Sequence, residues 1–462
     1  MFVRTFVADG VSDRSYMIVD KESGRAAVVD AQRDVWTYLD EADNLGVKIT
    51  HTFDTHVHND FVSGSRSLQE LTSATVVQPA GSEIEYSVRE ARDGDRFEVG
   101  GFTVRALHTP GHTFHHTAYA VEEGGVVAGL FTGGSMLVET VGRTDLVSPG
   151  ATEELARAQR SSVRRLADFP DDTEVFPTHG AGSFCTAGAA PDRETTSIGR
   201  EKRDNAAVRV ALEEDEDAFV RFALHGLPAY PAYYAHMAPA NRKGAPPLIS
   251  LPALEGLDPR KAYELQSRGA SVVDARKTLE FLAGFPKGAR SVPLGDSFAG
   301  YIGWVLPYND ELVLVLPRDE DWRRAQGQLI RIGFDRAAGY VRGGFPAWRD
   351  DGLPVDQFTA IDVAELHRLQ KTGRELSILD VRQDAEWRAG HLPGAVHIPV
   401  GMIPARSGDA PSQGQLVTMC AAGMRAAMAA SVLRRVGYDP IVVAPGGFED
   451  WAERGWPVET GR

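Results

Sequence analysis

Cys420 closes a short apolar run, Leu416 to Met419, and after Ala421, Ala422, Gly423 and Met424 comes Arg425, at the head of a helix-period stretch that reaches Val436. A strand that turns at once into a helix aims the backbone N–H groups of the turn at the residue where it starts. Those dipoles, the positive end of the helix and the Arg425 guanidinium are expected to lower the thiol pKa and to hold a terminal anionic sulfur. Cys420 and Arg425 are therefore the expected catalytic pair, with Ala421, Ala422, Gly423 and Met424 as a cradle for sulfur.

A second chemistry is written in histidines. Thr55-His56-Val57-His58-Asn59-Asp60 follows a strand-like stretch from Val47 to Phe53, and His-x-His on such a turn lets two imidazoles converge on one metal ion. His115 and His116 read as an exposed pair. Cys185 reads as a small buried residue, because no helix-start arginine loop follows it. The two cysteines lie far apart in sequence, so free thiols and a reducing compartment are expected.

The elements that must position these residues include an internal repeat. Ile332-Gly333-Phe334-Asp335 matches Val436-Gly437-Tyr438-Asp439, and Gly343-Gly344-Phe345 matches Gly446-Gly447-Phe448. Val272-Val273-Asp274-Ala275-Arg276 likewise matches Ile378-Leu379-Asp380-Val381-Arg382. Each copy runs to about a hundred residues, the size of a small domain. Strands at 271–274, 312–316, 377–380 and 416–419 alternate with helix-period stretches at 323–332 and 425–436, which predicts parallel α/β sheets. The segment before them opens with strand-like pieces at 15–19 and 26–29 and continues with 102–107 and 126–131 and a helix at 153–166. It reads as a mixed, β-rich α/β domain. The expected domains are 1–247, 248–355 and 356–462, with an extended connector from Pro228 to Pro247 and a junction at Asp356 to Thr359.

A chain of 462 residues with 43% hydrophobic content fits several such cores. The net charge of -15, without a Lys/Arg run, argues against nucleic-acid and anionic-membrane partners. No stretch approaches the roughly 18 apolar residues that a bilayer span needs, and the first residues lack a charged-then-apolar leader. A cytoplasmic location is the expectation.

The last copy resembles the rhodanese family in Asp380-Val381-Arg382, Glu386, Gly390-His391-Leu392-Pro393-Gly394-Ala395 and Gly446-Gly447-Phe448. In that family a Cys-x4-Arg loop suits sulfane sulfur, whereas phosphatases use Cys-x5-Arg. The resemblance implies attack of Cys420 on thiosulfate or a persulfide, a Cys420 persulfide, and handover to a thiol acceptor. Aligning the copies puts Leu316 where Cys420 stands and Asp321 where Arg425 stands, so the middle module is expected to be inactive and to serve packing or docking.

The His-x-His turn, Thr109-Pro110-Gly111-His112-Thr113, Gly142-Arg143-Thr144-Asp145 and Pro177-Thr178-His179-Gly180 occur in the order of the metallo-β-lactamase superfamily, which implies an αββα sandwich. Two of that superfamily's ligands are replaced. Phe61 stands where the motif continues Asp-His, and Gly134 where Phe-Thr-Gly-Asp ends in a carboxylate, so a two-metal hydrolase is disfavoured.

The whole order resembles the persulfide dioxygenase–rhodanese fusion proteins, as does Thr195-Thr196-Ser197-Ile198-Gly199-Arg200-Glu201. That resemblance implies an α/β multidomain protein that oxidises a thiol persulfide to sulfite and thiol with O₂ at mononuclear Fe(II), held by two histidines and an aspartate. The matching positions are His56, His112 and Gly134. Glycine has no side chain to ligate, so the expected set becomes His56, His58 and His112, with Asp60 and His179 as further candidates. One Fe(II) is the expected cofactor; Zn(II) and a metal-free scaffold domain are the alternatives, and a glyoxalase II-type thiolester hydrolase is a third reading. The expected partners are a thiol persulfide or thiosulfate and an acceptor thiol, with a homo-oligomer left open.

Overall fold

The computed structural model describes residues 1–187, 193 and 195–461. Positions 188–192 and 194 of the expected first domain and 462 of the third lie outside the described residues. The chain divides into two compact units. The first holds Met1–Leu227, Tyr234–Pro252 and Ile330–Gly333, and the second holds Pro228–Tyr233 and the remainder from Ala253 on. Both repeat copies share the second unit, apart from Ile330–Gly333 of the first copy.

In the first unit, strands with alternating burial pair into two six-stranded sheets. One contains Phe2–Ala8, Asp13–Asp20, Arg25–Val29, Lys48–Phe53, Thr75–Pro79 and Arg89–Ala91; the other contains Arg96–Val99, Phe102–His108, Thr117–Glu123, Val126–Gly133, Glu174–Pro177 and Thr196–Ser197. Tyr16, Ile18, Phe53, Phe97, Phe131 and Phe176 form the core between them. Met17, Val19 and Val28 on the outer face of the first sheet bury against Tyr38 and Ala42 of the helix Trp36–Leu45. The helix Thr152–Ala167 covers Leu107, Ala118 and Leu130 of the second sheet through Val163 and Leu166. Helix, sheet, sheet, helix is the αββα sandwich the sequence implies. His56, His112, Gly134 and His179 each follow the C-terminal end of a strand, so the sandwich gathers them at the strand ends although they lie far apart in sequence.

The stretch from Pro228 to Pro247 is not an extended connector throughout, because Tyr234–Lys243 is a helix. Tyr234, Met237 and Asn241 make one buried stripe at helical spacing, and that burial overrides the proline at 239. A proline-rich composition masks such a stripe in the sequence.

In the second unit, both copies build a five-stranded parallel sheet. Counting strands within each copy, the order is 1-5-4-2-3 in both: Gly256–Leu257, Ala337–Val341, Leu312–Val315, Ser271–Asp274, Arg290–Ser291, and then Ala360–Ile361, Ile441–Val443, Gln415–Met419, Leu376–Asp380, Val396–His397. The helix Met424–Arg435 lies as expected, one turn after Cys420. Among the described residues no helix is long and apolar enough to cross a membrane.

Candidate active sites

Three histidines meet at the strand ends of the sandwich. The rings of His56, His112 and His179 stand 4.8 to 5.6 Å apart between centroids, and each ring is at most 1% exposed. One ligand nitrogen from each lies within 4.8 Å of the other two. Their Nδ1 atoms are engaged: His56 with Thr55 Oγ1 at 2.9 Å, His112 with the Arg143 carbonyl at 2.7 Å, and His179 with Asp13 Oδ1 at 2.8 Å. Their Nε2 atoms are buried and have no hydrogen-bond partner among the described residues. Three convergent, buried imidazole nitrogens, each ring fixed from behind, form a donor set that fits one divalent cation.

The expected set differs by one residue. His58 stays next to His56, its ring centroid 4.3 Å away, but its Nε2 lies 3.1 Å from Asp30 Oδ1, its ring stacks on Phe61 at 4.1 Å, and its ligand atoms group with Asp30 and Asp54 rather than with His112 and His179. Burial opposes a charge on His58, but Asp30, Asp54 and Asp60 outweigh it and raise its pKa. The structure puts His179, a further candidate, beside His56 and His112 instead. Asp60 lies behind His179, with Oδ2 3.1 Å from its Nδ1.

Burial works against charge on His179 too, yet Asp60 and Asp13 lift it to about 10, whereas burial and neighbouring imidazoles push His112 down to about 3 and His56 well below its ordinary value. Neutral His56 and His112 keep their lone pairs.

Gly134 has a steric reason. A Cβ there would stand 2.4 Å from His112 Cδ2, so the ring of His112 fills the place of a side chain at this position. His116, expected to be exposed, is buried: its Nε2 accepts from the Gly134 N–H at 2.9 Å and its Nδ1 meets Thr109 Oγ1 at 2.9 Å. Both nitrogens are used in fixing the turn. His115 is exposed. Cys185 is buried, as expected, and burial pushes its thiol pKa well up; its Sγ lies within 4.8 Å of ligand atoms of Asp60 and His179.

Asp13, Asp30 and Asn241 carry no motif signal of their own. Asn241 donates to the carbonyls of His58 and Phe61 at 2.9 and 2.8 Å and accepts from Ser63 N–H at 2.8 Å, fixing the turn after the His-x-His motif. The motif Gly142–Asp145 acts through its backbone: Arg143, clamped to Asp145 at 2.7 and 2.8 Å, offers the carbonyl that orients His112.

In the second unit, Cys420 is 1% exposed and its Sγ accepts the Gly423 N–H at 3.1 Å. Gly423 sits at φ +97°, a left-handed conformation that turns its N–H back toward the sulfur. Gly447 permits the loop's close approach, since a Cβ there would stand 2.1 Å from the Cys420 carbonyl oxygen. Arg425 forms a fork with Glu386 at 2.6 and 2.7 Å. Burial opposes the guanidinium charge, but Glu386, Cys420 and Tyr301 outweigh it and hold its pKa above the ordinary value. Tyr301 comes from the other copy. Its helix, Phe298–Val305, packs on the turn Val400–Met402, with the Trp304 ring over Gly401. Leu316, 2% exposed, ends the strand of the middle copy where Cys420 ends its own.

The rhodanese-like domain model matches twice, at residues 258–351 and 362–454. A metallo-beta-lactamase from Staphylococcus aureus subsp. aureus COL is similar in structure with a TM-score of 0.66 and 28% identity, over 73% of this chain and 98% of that one. ETHE1 from Myxococcus xanthus is 31% identical over 52% of this chain and 98% of that one, with a TM-score of 0.45. A hydroxyacylglutathione hydrolase from Maricaulis maris (strain MCS10) is 32% identical over 166 residues, 36% of this chain and 60% of the relative, so the chain spans 60% of that relative's length. The chain thus joins a metallo-β-lactamase-fold N-terminal domain to two rhodanese-like domains.

Proposed function

We propose that this protein handles thiol persulfides: Cys420 moves sulfane sulfur, and the N-terminal centre, with one Fe(II) on His56, His112 and His179, oxidises a persulfide with O₂. The observation that carries the reading is the Cys420 sulfur receiving the Gly423 N–H inside a rhodanese-like domain. In the transfer step the Cys420 thiolate attacks the outer sulfur of thiosulfate or a persulfide. The donor S–S bond breaks, sulfite or a thiolate leaves with the electron pair, and Cys420 carries a persulfide. An acceptor thiolate then takes the terminal sulfur, and the Cys420 thiolate is released. The loop N–H groups hold the anionic sulfur, while Glu386 fixes the Arg425 fork at the loop's edge.

Held by His56, His112 and His179, one Fe(II) would supply the redox chemistry of the reaction. His56 and His112 offer neutral lone pairs, and Asp13 and Asp60 hold the third ring in place. Cys420→Ser should abolish sulfur transfer, and wild-type turnover with thiosulfate, persulfide and polysulfide donors would refute it. Metal analysis of protein purified anaerobically with iron, together with persulfide-dependent oxygen uptake, tests the N-terminal half; absence of metal reduces that domain to a scaffold.

A thiolester hydrolase is the second reading, favoured by the similarity to hydroxyacylglutathione hydrolases. Gly134 and Phe61 weigh against its two-metal centre. Hydrolysis of S-lactoylglutathione by zinc-loaded protein would support it.

A further inference from the structure

Arg14 packs against the turn that carries His179, with no counter-ion among the described residues. Its side chain is 5% exposed, its Nε and Nη1 are buried without a hydrogen-bond partner, and among the described residues no carboxylate pairs with it. Burial of a guanidinium is unfavourable unless the charge is matched, and guanidiniums buried for structural reasons are matched by carboxylates or carbonyls. Arg276 and Arg382 of this chain follow that rule, each bound to an aspartate two residues before it. Arg14 does not.

The backbone ties Arg14 to the site. Its N–H donates to the Thr178 carbonyl at 2.7 Å, and the Gly180 N–H donates to the Ser12 carbonyl at 3.0 Å, so this strand end and the His179 turn are clamped together. Asp13, the residue before it, orients His179. Along the strand Arg14 shares a face with Tyr16 and Ile18 of the inter-sheet core, at the end nearest His179. Position 180 has no side chain, and a Cβ there would stand 2.9 Å from Arg14 Nη1 and 3.1 Å from its Cζ.

We infer that Arg14 is an anion receptor of the N-terminal centre, binding the carboxylate or phosphate of the thiol whose persulfide enters it. The inference rests on the persulfide reading of that centre. A guanidinium forks onto either oxyanion, and a charge left unmatched in the free protein is matched when such a ligand arrives. An uncharged thiol gains nothing from it.

Unreactive thioethers test this in the full-length, zinc-loaded protein: S-methylglutathione for carboxylates, S-methyl-coenzyme A for phosphates, and 2-(methylthio)ethanol without charge. Calorimetric titration should show one of the anionic probes bound by wild type, weakened about tenfold to a hundredfold by Arg14→Met, as for a charge-assisted hydrogen bond, with Arg14→Lys in between. Arg14→Met should melt at or above the wild-type temperature, because it removes an unmatched buried charge. Equal affinity of the anionic probes for wild type and Arg14→Met overturns the inference. So does a lower melting temperature for Arg14→Met that Arg14→Lys restores, which marks a structural role. If the uncharged probe binds wild type as tightly as the anionic ones, the persulfide reading stands and the role of Arg14 is lost. Failure of all three probes to bind removes both.

Discussion

Because the His112 ring takes the space over position 134, a new side chain there displaces the ring before it can ligate anything. Gly134→Asp is therefore expected to lower metal stoichiometry and melting temperature together, and a gain in bound iron would contradict this. Behind His179, Asp13→Asn keeps the shape but replaces the carboxyl partner that orients the ring with an amide. Metal affinity should fall about 10- to 100-fold, the usual loss when an outer carboxylate partner of a metal-binding histidine is removed, measured by competition with a chromophoric chelator. At the other centre, burial raises the Glu386 pKa but the Arg425 fork outweighs it, leaving the pKa below its ordinary 4.5. A depressed carboxylate pKa stabilises the fold above the unfolded value, and that stabilisation is lost as pH falls through the folded value. The difference in melting temperature between wild type and Glu386→Gln should accordingly be full at neutral pH and shrink below about 4.5.

Two helices act at the scale of the element. Phe298–Val305 belongs to the copy without a cysteine, yet Tyr301 on it shares the electrostatic field of Cys420, Arg425 and Glu386. Tyr301→Phe should raise KM for thiosulfate about fivefold, the worth of one hydrogen bond near 1 kcal/mol, and leave kcat little changed; an unchanged KM would remove Tyr301 from the site. The helix Tyr234–Lys243 holds the His-x-His turn through Asn241 and was hidden by Pro239 and the prolines flanking it. Neither contact follows from a local pattern, since each pairs residues more than 80 positions apart. By contrast, the strand Leu416–Met419 and the helix after Cys420 were legible because an apolar run, small residues and helical periodicity all agree there.

For the whole molecule, two chemistries on two centres predict separable losses. Chelation should abolish persulfide-dependent oxygen uptake and leave thiosulfate transfer intact, whereas Cys420→Ser should do the reverse; loss of both on chelation would show that one centre serves both reactions. The sequence alone determined the repeat, the alternation of strand and helix, the Cys420 loop and the missing residues at 61 and 134, because these are properties of residue type and spacing. Tertiary structure decided which histidines meet. His56 and His58 are close in sequence and their rings stay close, but Asp30, brought in by the adjacent strand, engages the His58 Nε2, so His58 groups with Asp30 and Asp54 instead of with His112 and His179. His179 reaches His56 and His112 because Asp13 and Asp60 hold its ring from behind. Ligand sets are fixed by where side chains converge and by which of their nitrogens are already engaged, and only the folded chain specifies both.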